Sequence, residues 1–488
     1  MQLVSRHQQH HQRRPAWRRL ASSAAALAVA WAAVPAQAQT AAPAPTQDQA
    51  KAQAQAQAQV RAMSFAETMV AARGFDAQFR AAAFELESVR QGVPIARASL
   101  LPQVALNASR SDVSGSRQFF NSAEQEAKVQ VGYATPQASL SLRMPLYNKE
   151  ALSRYDEAQA RLEGAESLYR TRGLDLADRA GAAYLQVLLG ESNVALAEQQ
   201  LVAVKGQLAR SDQRLARGEG TRTEQAQARA AVDLGQVRLI EANNDLENAR
   251  RGLKRVTGVD TPRLNQIPAD FSPGEIVPNR LFDWLEQAAR NNPTIQARQQ
   301  AVVAARFGIQ RQTAGHYPRV DLVASIARSE NESLSNLGQT SVLKSLGVQL
   351  NVPLYSGGGV DASVKQAVAD RARSEEELRS EREGVEVDLQ RYFQDVSNGT
   401  VKAAAYRRAV ESSEVAYRGA VRAQEAGLGT TADVLDAQAL LYAAQRDWAR
   451  ARYDYLLSRL RLMALAGQPV DDLVADIDRQ LSLRRSAP

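Results

Sequence analysis

The chain of 488 residues contains no cysteine and only four histidines, three of which lie within the first eleven residues. The absence of cysteine excludes disulfide bonds, thiolate metal sites, a cysteine nucleophile and a lipid anchor on an N-terminal cysteine. Beyond residue 11 the single histidine is His316, and no cluster of catalytic side chains accompanies it. We therefore predict that the protein is not an enzyme and holds neither a metal ion nor a cofactor.

The excess of positive charge does not indicate a nucleic-acid partner. The sequence has 60 lysines and arginines against 53 acidic residues, and five arginines precede the first acidic residue, Asp48. Without these five the net charge falls to +2. Aromatic residues make up 6% of the chain, and no basic stripe accompanies them. We predict that no nucleic acid is bound.

The first 38 residues have the organisation of a secretory signal peptide. A basic, polar start is followed by an apolar stretch over 20–34 and by the small-x-small pattern of Ala36 and Ala38. The stretch is short for a bilayer span, and an N-terminal anchor helix is the alternative interpretation. We predict cleavage after Ala38 and a low-complexity segment over 39–61. No run of 18 apolar residues follows, so insertion into a membrane would require a closed β-barrel.

The rest of the chain contains an internal duplication. Four short motifs recur in the same order at offsets of 216, 208, 209 and 209 residues, and they surround the pairs Pro102 and Pro318, Pro145 and Pro353, Gly218 and Gly427, and Gly258 and Gly467. We predict a first repeat over 62–260, a proline-rich linker over 261–280, a second repeat over 281–468 and a C-terminal tail over 469–488.

Each repeat begins with the pattern of an amphipathic helix, near 64–98 and 281–314, and alternating apolar residues then predict a strand. A polar loop is expected over 109–130 and 328–344, and a second alternating segment predicts a returning strand. These strands are about 10 residues long, the length that a tilted strand needs to cross a bilayer. A hairpin in a water-soluble domain explains the same pattern equally well.

Two proline-free stretches, 146–261 and 354–468, predict long helices. They are rich in strong helix formers, and apolar residues between 385 and 417 follow the steps of three and four that are typical of a coiled coil. The glycine pairs Gly218 with Gly220 and Gly427 with Gly429 predict turns. The outgoing helix of the first hairpin would be about 105 Å long at about 1.5 Å per residue.

Two β-hairpins in one chain supply four strands, whereas a closed barrel needs about eight. Their exposed edges therefore require further chains, and a closed oligomer of identical subunits satisfies this requirement. Two chains would supply eight strands and three would supply twelve, and the residues alone do not choose between them.

The motifs PLYN at 145–148 and PLYSGGG at 353–359, with the segment 427–456, resemble the TolC family of outer-membrane exit ducts. The resemblance covers roughly residues 62–468. It implies a mainly α fold with a small β part, in which four strands per chain contribute to a trimeric 12-stranded barrel in outer-membrane lipid, continued by a long coiled-coil α-helical tunnel through the periplasm. It also implies a homotrimer that docks to a periplasmic adaptor protein and an inner-membrane ABC or other transporter.

Asp433 and Asp436 match the aspartate pair that narrows the periplasmic entrance in this family. Because they are three residues apart, they share one helix face. In a threefold tube they would form two stacked carboxylate rings that attract cations and repel anions. Thr430 and Asp433 also fit a capping box, which explains Asp433 but does not require Asp436.

Glu224 occupies the corresponding place in the first repeat, where the family holds its tip closed through contacts with the second hairpin. The matching positions in the second hairpin are Gln424 and Gly429, so the resemblance implies that this lock is absent in its usual form. Arg222 and Arg422 are candidates to replace it. A helix-capping role explains Glu224 at least equally well.

The resemblance also assigns positions to the glycines and prolines. The periplasmic tips, which dock to the adaptor, would contain Gly218, Gly220, Glu224, Gly427 and Gly429. The barrel-to-tunnel junction would contain Pro145 and Pro353, since proline has a fixed φ and no N–H donor and so suits a change of direction. Next to the second junction, the chain would be relaxed by Gly357, Gly358 and Gly359.

The expected function is an outer-membrane exit duct in a tripartite export system. Type I protein secretion is favoured, because the lipidation cysteine is absent and the second repeat is close to TolC. The alternatives are the outer-membrane component of a multidrug efflux pump and, with less support, a structural coiled-coil protein of the cell surface.

Overall fold

The computed structural model describes residues 62–120, 126–260, 263–268, 271–333 and 336–482. The predicted signal peptide (1–38) and low-complexity segment (39–61) lie outside the described residues. Within the described part of the chain, no helix has an apolar segment of the length that spanning a bilayer requires.

Both halves of the chain build the same succession of elements. The first half consists of α1 (Phe65–Phe75), α2 (Ala77–Ala98), β1 (Gln103–Phe120), β2 (Glu126–Tyr147), α3 (Lys149–Ala216) and α4 (Arg222–Thr257). The second half consists of α5 (Leu281–Asn291), α6 (Pro293–Thr313), a 3₁₀ turn (Ala314–His316), β3 (Arg319–Ser333), β4 (Asn336–Asn351), α7 (Gly359–Glu425) and α8 (Thr431–Leu465). A last helix, α9 (Val470–Ser482), lies in the segment predicted as a tail.

The prediction of a single opening helix in each half is wrong, because a short polar residue divides each of these segments into two helices. The Asp76 carboxylate accepts a hydrogen bond from the backbone N–H of Phe79 at 2.7 Å and so caps α2. Asn292 Oδ1 accepts from the N–H groups of Thr294 (2.9 Å) and Ile295 (3.1 Å) and caps α6. These side chains accept hydrogen bonds from N–H groups at the start of a new helix. The spacing of apolar residues alone does not reveal such a cap.

The predicted polar loops over 109–130 and 328–344 are also wrong in most of their length. β1 and β2 pair without interruption from Gln103 opposite Arg143 to Phe120 opposite Glu126. The strands contain 18, 22, 15 and 16 residues instead of about ten. An antiparallel ladder satisfies the backbone whatever side chains it carries, so polar strand ends lack the apolar alternation on which the prediction depended.

The four strands form one antiparallel sheet in the order β1-β2-β3-β4. The central pair joins the two halves, from Gln137 opposite Ser329 to Tyr147 opposite Val320. One face carries exposed apolar side chains that alternate along the edge strands, including Val104, Leu106, Leu346, Val348 and Leu350. Among the described residues, β1 and β4 each pair with a strand on one side only.

The helices continue the sheet as a layer in the same order. α3 packs against α2 in its strand-proximal half and against α4 in its distal half, and on its other side it packs against α6 and then α8. α7 packs against α6 and α8. The edges of the layer are therefore formed by α2 and α4 on the side of β1, and by α7 on the side of β4.

The hydrophobic core is thickest where α1, α9 and the linker surround the middle of α3. The Tyr184 hydroxyl bonds to the carbonyl oxygens of Met63 (3.2 Å) and Asn265 (3.0 Å), which ties both segments to α3. The Asp478 carboxylate of α9 accepts hydrogen bonds from the N–H groups of Phe65 (2.8 Å) and Ala66 (2.9 Å). The two ends of the described chain are thus held together at the first turn of α1.

Candidate functional site

The distal ends of the two helical hairpins share one turn geometry. Gly218 and Gly427 adopt φ angles of +76° and +75°, a left-handed conformation that favours glycine. After each of them the chain turns back, with Glu219 N–H donating to the Arg214 carbonyl at 2.9 Å in the first hairpin. A Cβ atom on Gly220 or Gly429 would lie 3.2 Å from backbone of the preceding helix. The duplicated glycines therefore close both tips in the same tight turn.

A capping box starts the return helix at each tip. The Glu224 carboxylate accepts from the Thr221 N–H at 2.9 Å, while Thr221 Oγ1 accepts from the Glu224 N–H at 3.2 Å. Thr430 and Asp433 repeat the arrangement at 2.8 and 3.2 Å. The hydrogen bond from the threonine N–H lowers the pKa of both carboxyl groups below their ordinary values.

A chain of hydrogen bonds connects the two hairpins directly above the tips. Gln207 Nε2 of α3 donates to Gln424 Oε1 of α7 at 2.9 Å, and Gln424 Nε2 donates to Thr431 Oγ1 of α8 at 3.0 Å. The Thr431 hydroxyl then donates to Glu224 Oε1 of α4 at 3.4 Å. At the other end, the Arg210 guanidinium donates to Gln207 Oε1 at 2.7 and 3.0 Å. We call these five residues the tip relay.

The tip relay is buried at its centre and charged at its ends. Gln207, Gln424 and Thr431 are 1%, 8% and 1% exposed. Every donor points in one direction, from the arginine cation to the Glu224 carboxylate, so the bonds polarise one another favourably. The free-energy cost of leaving a buried amide without its partner is larger than the net contribution of the hydrogen bond to stability. The relay therefore favours the arrangement in which the two hairpin tips lie side by side.

The hydrogen bonds between the hairpin tips involve residues other than the expected candidates Arg222 and Arg422. Gln424 does make a contact between the hairpins, whereas the guanidinium groups of Arg222 and Arg422 have no hydrogen-bond or ion-pair partner in the described part of the chain. Gln207 and Thr431 were not predicted. The sequence contains a feature that could have indicated such contacts: a glutamine at a buried position of a helical hairpin interrupts an otherwise apolar coiled-coil core.

Asp433 and Asp436 lie on the exposed surface of the first turns of α8. Both Asp433 oxygen contacts go to Thr430, as the capping box requires. Asp436 has no hydrogen-bond or ion-pair partner among the described residues. Capping therefore accounts for Asp433 alone, and Asp436 is an unneutralised carboxylate one helical turn beyond it.

The predicted junction residues fall at the two transitions from sheet to helix. Pro145 lies inside β2, where the pairing with β3 shifts register between Pro145 and Tyr147. Pro353 lies in the short connection between β4 and α7. In the same connection Gly357 and Gly358 adopt φ angles of +62° and +78°, and Gly359 is the first residue of α7. The second junction therefore depends on glycine conformations that the first does not use.

Residues 69–259 and 284–468 match the sequence model of a family described as outer membrane efflux protein. The chain is 32% identical over 414 residues to the proteases secretion protein PrtF of Dickeya chrysanthemi, covering 83% of this chain and 88% of PrtF. It is 29% identical over 398 residues to the alkaline protease secretion protein AprF of Pseudomonas aeruginosa, with 80% and 82% coverage.

A third similarity concerns the outer membrane protein TolC of Vibrio cholerae. The identity is 26% over 433 residues, which covers 87% of this chain and 95% of TolC. The matched family segments together span both halves of the duplicated chain, and the three similarities cover 82% to 95% of the length of these relatives.

Proposed function

Because this chain belongs to the outer membrane efflux protein family, and is an outer-membrane exit duct of the TolC type, we propose that it carries proteins out of the cell in a type I secretion system. The observation that carries the proposal is the similarity to two proteins named for protease secretion, over at least 80% of both sequences in each case. In this role the duct is passive, and partner proteins supply the energy.

The free edges of the layer support assembly into a closed ring of three copies. β1 of one copy would pair with β4 of the next, so that no strand edge stays open in the outer membrane. Because the two edges are different surfaces, the contact is head-to-tail and closes by rotation. Three copies supply twelve strands and continue them into a helical tunnel.

The hairpin tips are the proposed entrance and docking surface. Leu428, at the outermost turn of the second tip, is 87% exposed, as suits a contact with a periplasmic adaptor. The tip relay would hold the hairpins together at rest. Three copies would also place Asp433 and Asp436 in rings of carboxylates, which favour cations over anions in a narrow pore. The adaptor would link this entrance to an inner-membrane transporter.

The carboxylate rings are tested by conductance in planar bilayers. Replacing Asp433→Ala and Asp436→Ala together should lower cation preference and weaken block by polyvalent cations. Asp436→Asn alone leaves the capping box intact and should reproduce part of the loss, whereas the exposed control Asp395→Asn should have no effect. Unchanged selectivity in the double variant would remove the rings from the proposal.

The cargo is tested by mass spectrometry of the culture supernatant from strains with and without the gene. Under the proposal, one or a few secreted proteins disappear on deletion and return when the wild-type chain is supplied on a plasmid. A Leu428→Asp variant that assembles in the outer membrane should fail to restore them. An unchanged supernatant combined with raised sensitivity to drugs and dyes would instead identify the duct as an efflux component.

A further inference from the structure

One face of the sheet carries a band of apolar side chains that ends in cations. Paired residues share a face, so the even-numbered residues of the regularly paired strands lie together, as Val104 opposite Leu142 and Ala324 opposite Leu346 illustrate. Near the helices these positions are apolar on all four strands. Farther from the helices the same face carries three exposed basic residues, which we call the cationic row: Arg110 on β1, Arg328 on β3 and Lys344 on β4.

The members of the cationic row lie at similar distances from the helix-side ends of their strands. Arg110 is seven residues beyond the first residue of β1, and Lys344 is seven residues before the last residue of β4. Arg328 is nine residues beyond the start of β3. At about 3.3 Å per residue, these positions correspond to about 23 and 30 Å of strand.

The strand ends themselves are staggered across the sheet. Gln103, the first residue of β1, aligns through the paired strands with Gly347, which is four residues before the end of β4. A shift of four residues over three strand spacings of about 4.8 Å corresponds to a strand tilt of about 40°, within the range of outer-membrane barrels. With this tilt, the cationic row is about 18–23 Å above the helix-side ends of the strands.

Exposed aromatic side chains mark the other limit of the apolar band. Tyr147, Tyr317 and Tyr355 lie at the transitions between sheet and helices and are 39%, 47% and 88% exposed. Aromatic residues are enriched where a bilayer meets water. The band between these tyrosines and the cationic row is close in height to the apolar band of about 25 Å that outer-membrane barrels present to lipid. The cationic row therefore lies at the level of lipid headgroups.

The cationic row can exchange its present partners for an anionic ligand. Arg110 contacts Asp112 at 3.3 Å, and Arg328 contacts Glu330 at 2.9 Å. Each acidic residue is two positions farther from the apolar band, and both ion pairs are exposed, so they contribute little to stability. Lys344 has no hydrogen-bond or ion-pair partner among the described residues. An arginine side chain can bind a phosphate group through two parallel hydrogen bonds.

We propose that the cationic row binds the phosphate groups of lipid A, the phosphorylated glycolipid in the outer leaflet of the outer membrane. The occupant is a lipid because the row adjoins the lipid-facing apolar band, and basic residues at a bilayer surface attract anionic headgroups. The outer leaflet supplies it, because the row is at the end of the band away from the periplasmic helices. This inference rests on the proposed ring of three copies, in which nine cations would surround the barrel.

Native mass spectrometry tests this binding on the delipidated protein in detergent. The protein is titrated with lipid A that carries two phosphates, and the lipid adducts on the trimer are measured. The test variant combines Arg110→Gln, Arg328→Gln and Lys344→Gln. Because one cation near an anionic lipid surface strengthens binding by about fivefold, the three substitutions should weaken it by about 100-fold. Dephosphorylated lipid A should bind the wild-type trimer as weakly as lipid A binds the variant.

A control variant separates this site from a general effect of charge. It removes three exposed cations from the helices by Lys205→Gln, Arg251→Gln and Lys365→Gln, and it should bind lipid A as the wild type does. If the test variant does not assemble, the single substitutions replace it. Lys344→Gln should then weaken binding by about fivefold, whereas Lys344→Arg, which keeps the charge, should bind normally.

The same spectra distinguish failure of this inference from failure of the proposed ring. A trimer that binds lipid A equally well with and without the cationic row overturns the inference and leaves the duct proposal standing. Phosphatidylglycerol that binds through the row as tightly as lipid A also overturns it, because the row would then not select the outer-leaflet glycolipid. Absence of a wild-type trimer removes both the ring and this inference.

Discussion

The tip relay makes a quantitative prediction for Gln424→Ala. The substitution removes the bonds of 2.9 Å to Gln207 and 3.0 Å to Thr431, and leaves the Gln207 amide, on a side chain that is 1% exposed, without its acceptor. A buried donor left without its acceptor costs about 1–3 kcal/mol. Opening of the tip should therefore become about 5- to 150-fold more favourable.

Hydrogen exchange with mass spectrometry measures this opening on peptides that cover 420–434 in the detergent-solubilised protein. Exchange there should accelerate by the predicted factor, with no change in peptides from the middle of α3. Gln213→Ala is the control, since Gln213 is an exposed glutamine of α3, the helix that carries Gln207. The double variant with Gln207→Leu and Gln424→Leu should be nearly neutral, because both partners become apolar. Exchange in Gln424→Ala equal to that in Gln213→Ala would refute the role of the relay.

Three further predictions concern stability and pH. Asp478→Ala should lower the free energy of unfolding by about 1–3 kcal/mol, because the first two N–H groups of α1 lose their acceptor. In thermal unfolding, Asp395→Ala, a substitution at an exposed residue, should show no comparable loss of stability. Gly467→Ala should lower the free energy of unfolding by more than about 1–2 kcal/mol, because Gly467 has a φ of +76° and a Cβ there would lie 2.3 Å from a backbone oxygen of α5. The control is Gly384→Ala, which places its methyl group in open space within α7 and should be neutral or stabilising in the same thermal unfolding experiment. Because the pKa of Glu224 is lowered in the folded chain, its capping contribution is complete above the ordinary glutamate pKa and is lost as the pH falls through the lowered one. Hydrogen exchange in peptides that cover the first tip, corrected for its intrinsic pH dependence, should therefore rise in acid. A Glu224→Gln variant should show a smaller rise there, whereas the rise at the second tip, where the pKa of Asp433 is also lowered, should remain.

Much of the helical part could be predicted from short windows of sequence. The two proline-free stretches contain the long helices α3, α4, α7 and α8, and the turns at Gly218 and Gly427 lie where the glycine pairs indicated them. Helix propensity, exclusion of proline and left-handed glycine conformations are local properties, so a few neighbouring residues are enough to express them. The break at Asp76 was missed because a cap competes with apolar periodicity over the same residues.

The strand lengths were underestimated for a different reason. Beyond Ala108, β1 carries mostly polar residues, and its pairing with β2 reaches Phe120 opposite Glu126. The backbone hydrogen bonds of a hairpin extend across such residues once the first pairs set the register. The pattern of residue types therefore predicted the apolar part of each strand but not the residue at which the strand ends.

By itself, the sequence determined the duplication, the long helices, the tip turns and the resemblance to outer-membrane exit ducts. These features follow from local spacing and from motifs that recur at offsets of 208 to 216 residues. Only the tertiary structure decided that Gln207, Gln424, Thr431 and Glu224 form one chain of bonds, and that Asp478 caps a helix 412 residues earlier. Such contacts join residues that are remote along the chain, and they exist only after the hairpins and the two ends have packed against each other.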